Sequence, residues 1–143
     1  MQNLKVFLVE DDEIYSMILA QKLKVFGNFF VSTFATGEDA LDHLQQHTNI
    51  DVVILDYDLP GISGLETLKR IQQMQHRAKV LFLSGIEKEE IIQACKDAGA
   101  HEFIVKDKDV ATKVYVAISR IMEEDSKKKK KGFLGGLFKK LKD

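Results

Sequence analysis

One cysteine, one proline and no long apolar run are the scarcities of this sequence, and each removes a class of protein. Lone Cys95 permits no internal disulfide, so a reducing, cytoplasmic setting is expected. With Pro60 as the sole proline there is no Pro-rich linker, and no internal repeat is found. The 143 residues therefore read as one domain with enough apolar content for a single core. No apolar stretch approaches the roughly 20 residues that a membrane-spanning helix needs. The chain begins almost directly with strand-like sequence, so a secretory signal is not expected.

Charge is present in quantity but unevenly placed. The net charge of -1 hides a tail, residues 127–143, with eight lysines against one aspartate. The rest holds 13 basic against 21 acidic residues, so a body near -8 carries a tail of +7. An acidic body with a basic tail points to two different partners. The lysine run at 127–131 is the one expected boundary, dividing residues 1–125 from 126–143.

The body centres on residues 52–64, VVILDYDLPGISG. Val52 to Leu55 is a continuous apolar run, too short for a helix, which reads as a strand buried on both faces. Asp56 then stands at the carboxyl end of that strand, where open α/β sheets place their chemistry. Leu59, Pro60 and Gly61 turn the chain, and Ser63 with Glu66 can cap the next helix. Such a strand presents one carboxylate to a loop crevice, as a nucleophilic aspartate requires. The plainer reading is that Asp56 merely ends a strand.

Strand-like and helix-like segments alternate five times. Lys5 to Val9, Phe29 to Phe34, the Asp56 strand, Lys79 to Leu83 and Phe103 to Val105 are the expected strands. The first helix runs from about Ile14 to Phe26 behind an Asp12 cap, with Ile14, Ile18 and Leu23 near helical spacing. The second begins between Thr36 and Asp39 and turns Ala40, Leu41 and Leu44 inward. The others span about Ser63–Met74, Glu87–Ala98 and Asp109–Glu124. Alternation of this kind implies βαβ units and a parallel sheet covered on both faces.

In a parallel sheet Glu10, Asp11, Asp56, Ser84 and Lys106 all stand on one edge. Three carboxylates gathered there repel one another and need a cation or a shared proton. An oxygen-rich site that also accepts phosphate suits Mg²⁺. Lys106 offers a point charge and Ser84 a hydroxyl to phosphate oxygens. Together they describe phosphoryl transfer to Asp56.

Four segments in order, LVEDD at 8–12, LDYDLPGISG at 55–64, LSG at 83–85 and VKD at 105–107, resemble the receiver domain of two-component response regulators. The resemblance covers about residues 3–124 and implies a flavodoxin-like (βα)5 fold with strand order 2-1-3-4-5. It implies a signalling domain rather than an enzyme, with Asp56 as phosphoacceptor from a histidine kinase or phosphotransfer protein. Asp11 is implied as the direct Mg²⁺ ligand, Glu10 as acting through metal-bound water, and Asp58 as giving its backbone carbonyl. Ser84 becomes the switch hydroxyl, expected to exchange water-facing hydrogen bonds for the phosphoryl group. Lys106 is implied as the phosphate-contacting lysine and Phe103 as the aromatic switch, without a tyrosine's hydroxyl. A downstream target is expected on the face from about Glu87 to Arg120.

Three departures stand out. Asp107 follows the lysine where the family usually has proline, so a trans peptide is expected there. Gly85 replaces the commoner alanine, and Ile86 a residue that is often polar. Asp56-Tyr57-Asp58 also resembles the DxD start of haloacid-dehalogenase-type phosphatases, although Pro60 departs from that pattern. A receiver-fold interaction module without phosphorylation is the third reading.

The tail lies outside the resemblance. As a helix it gathers Phe133, Leu134, Leu137, Phe138 and Leu141 on one face of about 140°, with Lys139 and Lys140 outside it. Burying each of those side chains contributes about 1.5–3 kcal/mol, and each lysine near an anionic leaflet about 1 kcal/mol. Three glycines oppose the helix, and the isolated segment is too short to hold one in water. The expected role is a reversible anchor at the inner face of a membrane, with docking in a partner's groove the second reading and nucleic acid disfavoured by the acidic body.

Overall fold

A computed structural model describes residues 3–142, apart from the side chains of Phe138 and Lys142. Five strands, β1 (Leu4–Val9), β2 (Phe29–Phe34), β3 (Val52–Asp56), β4 (Lys79–Ser84) and β5 (Glu102–Val105), alternate with five helices. The helices are α1 (Glu13–Phe26), α2 (Gly37–Gln46), α3 (Gly64–Gln73), α4 (Glu89–Asp97) and α5 (Val110–Lys142). The sheet is parallel throughout, in the order β2-β1-β3-β4-β5, which is the expected flavodoxin-like arrangement.

Every residue of β3 is buried, because helices cover both faces of the sheet. Strand periodicity sends Val52 and Ile54 to one layer, where they meet Leu19 and Leu23 of α1 and Val114 and Ile118 of α5. Val53 and Leu55 point the other way, to Ala40 and Leu44 of α2 and Leu68 and Ile71 of α3. The register places Asp56 beside Leu83 and Ser84 beside Val105, so the polar residues at the strand ends reach the same edge.

Three helices start on the capping residues read from the sequence. Asp12, Thr36 and Ser63 accept from the backbone N–H of Tyr15, Asp39 and Glu66 respectively. The apolar trio of α1 divides, however. Leu23 is buried, whereas Ile14 is 68% and Ile18 45% exposed. The inward row is Ser16, Leu19, Ala20 and Leu23, whose i, i+4 spacing sets a phase that excludes the two isoleucines. Cys95 is buried in the second layer. The α4 helix begins at Glu89 rather than Glu87, and Lys88 before it offers no side-chain cap.

The largest difference is at the end of α5, which passes the expected stop at Glu124 and continues to Lys142. The lysine run is thus part of a 33-residue helix rather than a break in one. As an extension of a helix already packed on the body, the tail escapes the nucleation cost that an isolated segment meets. Ion pairs from Lys127 to Glu123 (3.3 Å) and Lys129 to Asp125 (3.2 Å) bridge successive turns at the junction. Among the described residues no helix is long and apolar enough to cross a membrane.

Candidate functional site

Glu10 and Asp56 are both buried, at 4% and 3% exposure, although each carries a carboxylate. They reach the edge from adjacent strands, Glu10 just beyond β1 and Asp56 as the last residue of β3. The loop after β3 folds back on the acceptor strand. Tyr57 N–H donates to the Leu83 carbonyl at 2.8 Å, and Gly64 N–H to the Tyr57 carbonyl at 3.1 Å. Gly64 is required by this close approach, since a Cβ there would lie 2.3 Å from the Asp56 carbonyl oxygen. The Asp58 N–H donates to Asp56 Oδ1 at 3.3 Å and steadies one carboxylate oxygen.

Lys106 spans the two buried acids. Its Nζ lies 2.5 Å from Glu10 Oε1 and 3.1 Å from Asp56 Oδ2. Burial raises the Glu10 carboxyl above its ordinary 4.5, and Asp56 beside it adds to the rise against the opposing pull of Lys106. Burial alone would lower the Lys106 ammonium, but its hydrogen bond to Glu10 and the charge of Asp56 leave it raised. Exposed Asp11 completes the group: oxygens of Glu10, Asp11 and Asp56 lie within 4.8 Å of one another. Three hard oxygen donors, one of them open to solvent, suit a small divalent cation such as Mg²⁺.

Tyr15, which the sequence did not single out, forms the floor of this arrangement. Lys106 Nζ stands 4.8 Å from its ring centroid, within cation–π range. The Tyr15 hydroxyl is buried and has no hydrogen-bond partner among the described residues, and burial pushes its pKa up. An aromatic residue one helical turn beyond Asp11 was the available signal.

Ser84 is wholly buried, and its hydroxyl faces protein rather than water. Its Oγ donates to the Ile86 carbonyl at 3.0 Å and accepts from the Ile86 N–H at 3.1 Å. The water-facing hydrogen bonds expected there are replaced by this closure of the Ser84 loop on itself. A Cβ at Gly85 would meet open space, so the fold does not demand glycine at that position. Asp107, in place of proline, takes a definite role. It accepts from the Asp109 N–H at 2.8 Å and pairs with Lys113 at 2.5 Å, and the Lys113 hydrogen bond lowers its pKa. No peptide is cis among the described residues.

Residues 6–115 match the response regulator receiver domain. The chain belongs to the response regulator receiver family. The receiver is 36% identical over 101 residues to a cyclic di-GMP phosphodiesterase of Thermotoga maritima, a match covering 71% of this chain and 26% of that protein. It is 30% identical over 116 residues to protein CcdB of Bacillus subtilis, covering 80% of this chain and 95% of that one. In structure it is similar to a CheY-like receiver domain from Methanospirillum hungatei, with TM-score 0.80, 21% identity and coverage of 89% and 99%. The match accounts for 47% of the transcriptional activator ExaE of Pseudomonas putida and 53% of a Haemophilus influenzae nitrate/nitrite regulator homologue. The receiver thus spans about half or less of several curated relatives.

Proposed function

We propose that this receiver takes a phosphoryl group from a phosphohistidine onto Asp56. The P–N bond of the donor breaks, a P–O bond forms on the Asp56 carboxylate, and the donor imidazole leaves as the neutral ring once it holds a proton. The observation that supports this reading is the pair of buried acids, Glu10 and Asp56, spanned by Lys106 beside exposed Asp11. Glu10, Asp11, Asp56 and the Asp58 carbonyl would hold Mg²⁺, which supplies positive charge to the transferring oxygens when bound. Lys106 already stands at Asp56 Oδ2 and needs only to leave Glu10 to meet a phosphoryl oxygen. A haloacid-dehalogenase-type role has no support in the family match. Locating the phosphoryl group on the chain tests the proposal.

The signal is read, in this proposal, by a protein that docks where α4, β5 and α5 meet. Glu87, Glu102, Phe103, Asp107, Val116 and Arg120 help line a groove of about 510 Å³ there. An Arg120–Glu102 ion pair of 2.5 Å ties α5 to β5, and half-buried Phe103 packs on the other side of β5, in the layer that holds Cys95 of α4. On phosphorylation the Ser84 hydroxyl exchanges the Ile86 carbonyl for a phosphoryl oxygen, draws its loop inward, and opens space for Phe103. The expected outcome is a shift of the Phe103 ring resonances on adding beryllofluoride with Mg²⁺, lost in Ser84→Ala. Unchanged Phe103 resonances in the activated wild type would contradict the switch.

The tail is proposed as a reversible anchor to an anionic membrane surface. It leaves the body at Asp125, which pairs with Lys79 at 3.6 Å. Lys79 opens β4, so the tail departs from the edge opposite the acceptor and leaves Asp56 free for a kinase. Phe133, Leu134, Leu137 and Leu141 are 43–75% exposed, and no other part of the described chain covers them. Full-length protein is expected to sediment with anionic vesicles and to release in salt, whereas a chain ending at Asp125 stays in the supernatant. Equal sedimentation of the two would rule the anchor out.

A further inference from the structure

The apolar stripe of α5 changes sides along its length. Val110, Ala111, Val114, Ala117, Ile118 and Ile121 are buried against the body. At about 100° per residue, the mean direction of Phe133, Leu134, Leu137 and Leu141 lies about 160° from that of the buried six. The tail therefore turns its exposed apolar side chains almost directly away from the side on which α5 grips the sheet. Gly132, Gly135 and Gly136 fall within about 60° of the buried direction, so they leave the apolar stripe undivided. A flexible tether has no need of such a phase relation, because its far end does not know which way the body faces.

The junction is built to transmit that phase. The helix is continuous from Val110 to Lys142. Asp125 is held by Lys79 of the sheet and by Lys129 of the next turn, and Glu123 is paired with Lys127. On the outer side of α5, exposed Thr112 and Val116 lie within about 45° of the tail's apolar direction, as does Lys130 of the lysine run. An anionic lipid surface matches the charge of the lysines and the apolar stripe that follows them. A surface covering the stripe of a straight helix must also lie along the outer face of the body-bound half.

We propose that α5 is a rigid bracket that seats the receiver on an anionic membrane in one orientation. The outer face of α5 is turned to the lipid and the α2–α3 layer away from it. The proposal rests on the anchor reading of the tail and adds the orientation. It places the Val116 and Arg120 side of the groove near the lipid, so a downstream partner must approach that groove along the membrane surface. Seating and partner access are thereby coupled through a single helix.

Inserting alanines after Ser126 separates a bracket from a tether. Two alanines rotate the tail by about 200° relative to the body, and four bring it back to within about 40°. The full chain, with either no insertion, two alanines or four, carries an environment-sensitive fluorophore at Thr112→Cys or, as a control on α2, at Gln45→Cys. Native Cys95 is buried and is spared the label. Quenching by soluble acrylamide is read with and without vesicles of mixed phosphatidylglycerol and phosphatidylcholine. On vesicles, several-fold shielding of the residue 112 label is expected in the native chain and the four-alanine chain, with the residue 45 label open throughout. The two-alanine chain loses that shielding or loses vesicle binding, and either result supports the bracket. Binding by all three chains with equal quenching at residue 112 overturns the bracket and leaves the anchor standing. Failure of the native chain to bind vesicles overturns both.

Discussion

Replacing Lys106 with methionine is expected to destabilise the metal-free domain by about 3–5 kcal/mol at neutral pH. The side chains of Glu10 and Asp56 are only 2% and 5% exposed, and Lys106 is the cation paired with both. Methionine fills the stem's volume but leaves two neighbouring carboxylates without a counter-charge. Burial and the neighbouring Asp56 both push the Glu10 carboxyl up, and Lys106 is what opposes them. A raised folded-state pKa gives stability that is present below the unfolded value, near 4.5 for Glu10, and lost as pH rises through the folded value. The deficit of Lys106→Met should therefore be largest at neutral pH and shrink on acidification. Urea unfolding of both proteins in chelator at about pH 7 and about pH 5 checks this. A deficit of the same size at both pH values would show that Lys106 does not neutralise these acids.

Gly64→Ala should damage the acceptor loop by sterics rather than charge. The new Cβ would lie 2.3 Å from the Asp56 carbonyl oxygen and 2.9 Å from Tyr57 Cα, and backbone cannot step aside as a side-chain tip can. Overpacking of this kind costs about 1–3 kcal/mol, and here the strain falls on the residue that must meet a phosphoryl donor. A displacement of about 1 Å at a reacting centre costs on the order of 100-fold in rate. Gly85→Ala, just beyond the end of the neighbouring strand β4, meets nothing within 4 Å and should change neither quantity. Unfolding midpoints and initial phosphorylation rates of the two variants give the comparison. Equal behaviour of Gly64→Ala and Gly85→Ala would refute the account of the β3–α3 loop.

Much of this was legible because strand ends are legible. Val52 to Leu55 is apolar without interruption and stops at an acid, and that pattern has few physical readings other than a buried strand delivering a carboxylate. Glu10, Ser84 and Lys106 follow similar runs, so a parallel sheet brings them together without any knowledge of side-chain contacts. Helical phase was less accessible. Ile14 and Ile18 share a helical period with one another but not the inward row of Leu19 and Leu23, and hydrophobicity alone does not say which row meets the sheet. Tyr15 escaped notice because its meaning lies in Lys106, which reaches it from the far end of β5. The continuation of α5 was hidden by composition. Five lysines read as a solvated break, whereas Glu123 and Asp125 one turn earlier pair with two of them and carry the helix through.

Whether Asp56 is the acceptor is decided by intact-mass and peptide-mapping analysis after incubation with acetyl phosphate and Mg²⁺. A mass gain of one phosphoryl group is expected, located on the peptide that contains Asp56, absent in Asp56→Asn and absent when chelator replaces Mg²⁺. A gain of the same size in Asp56→Asn, or a phosphoryl group mapped to another residue of the wild type, would contradict it.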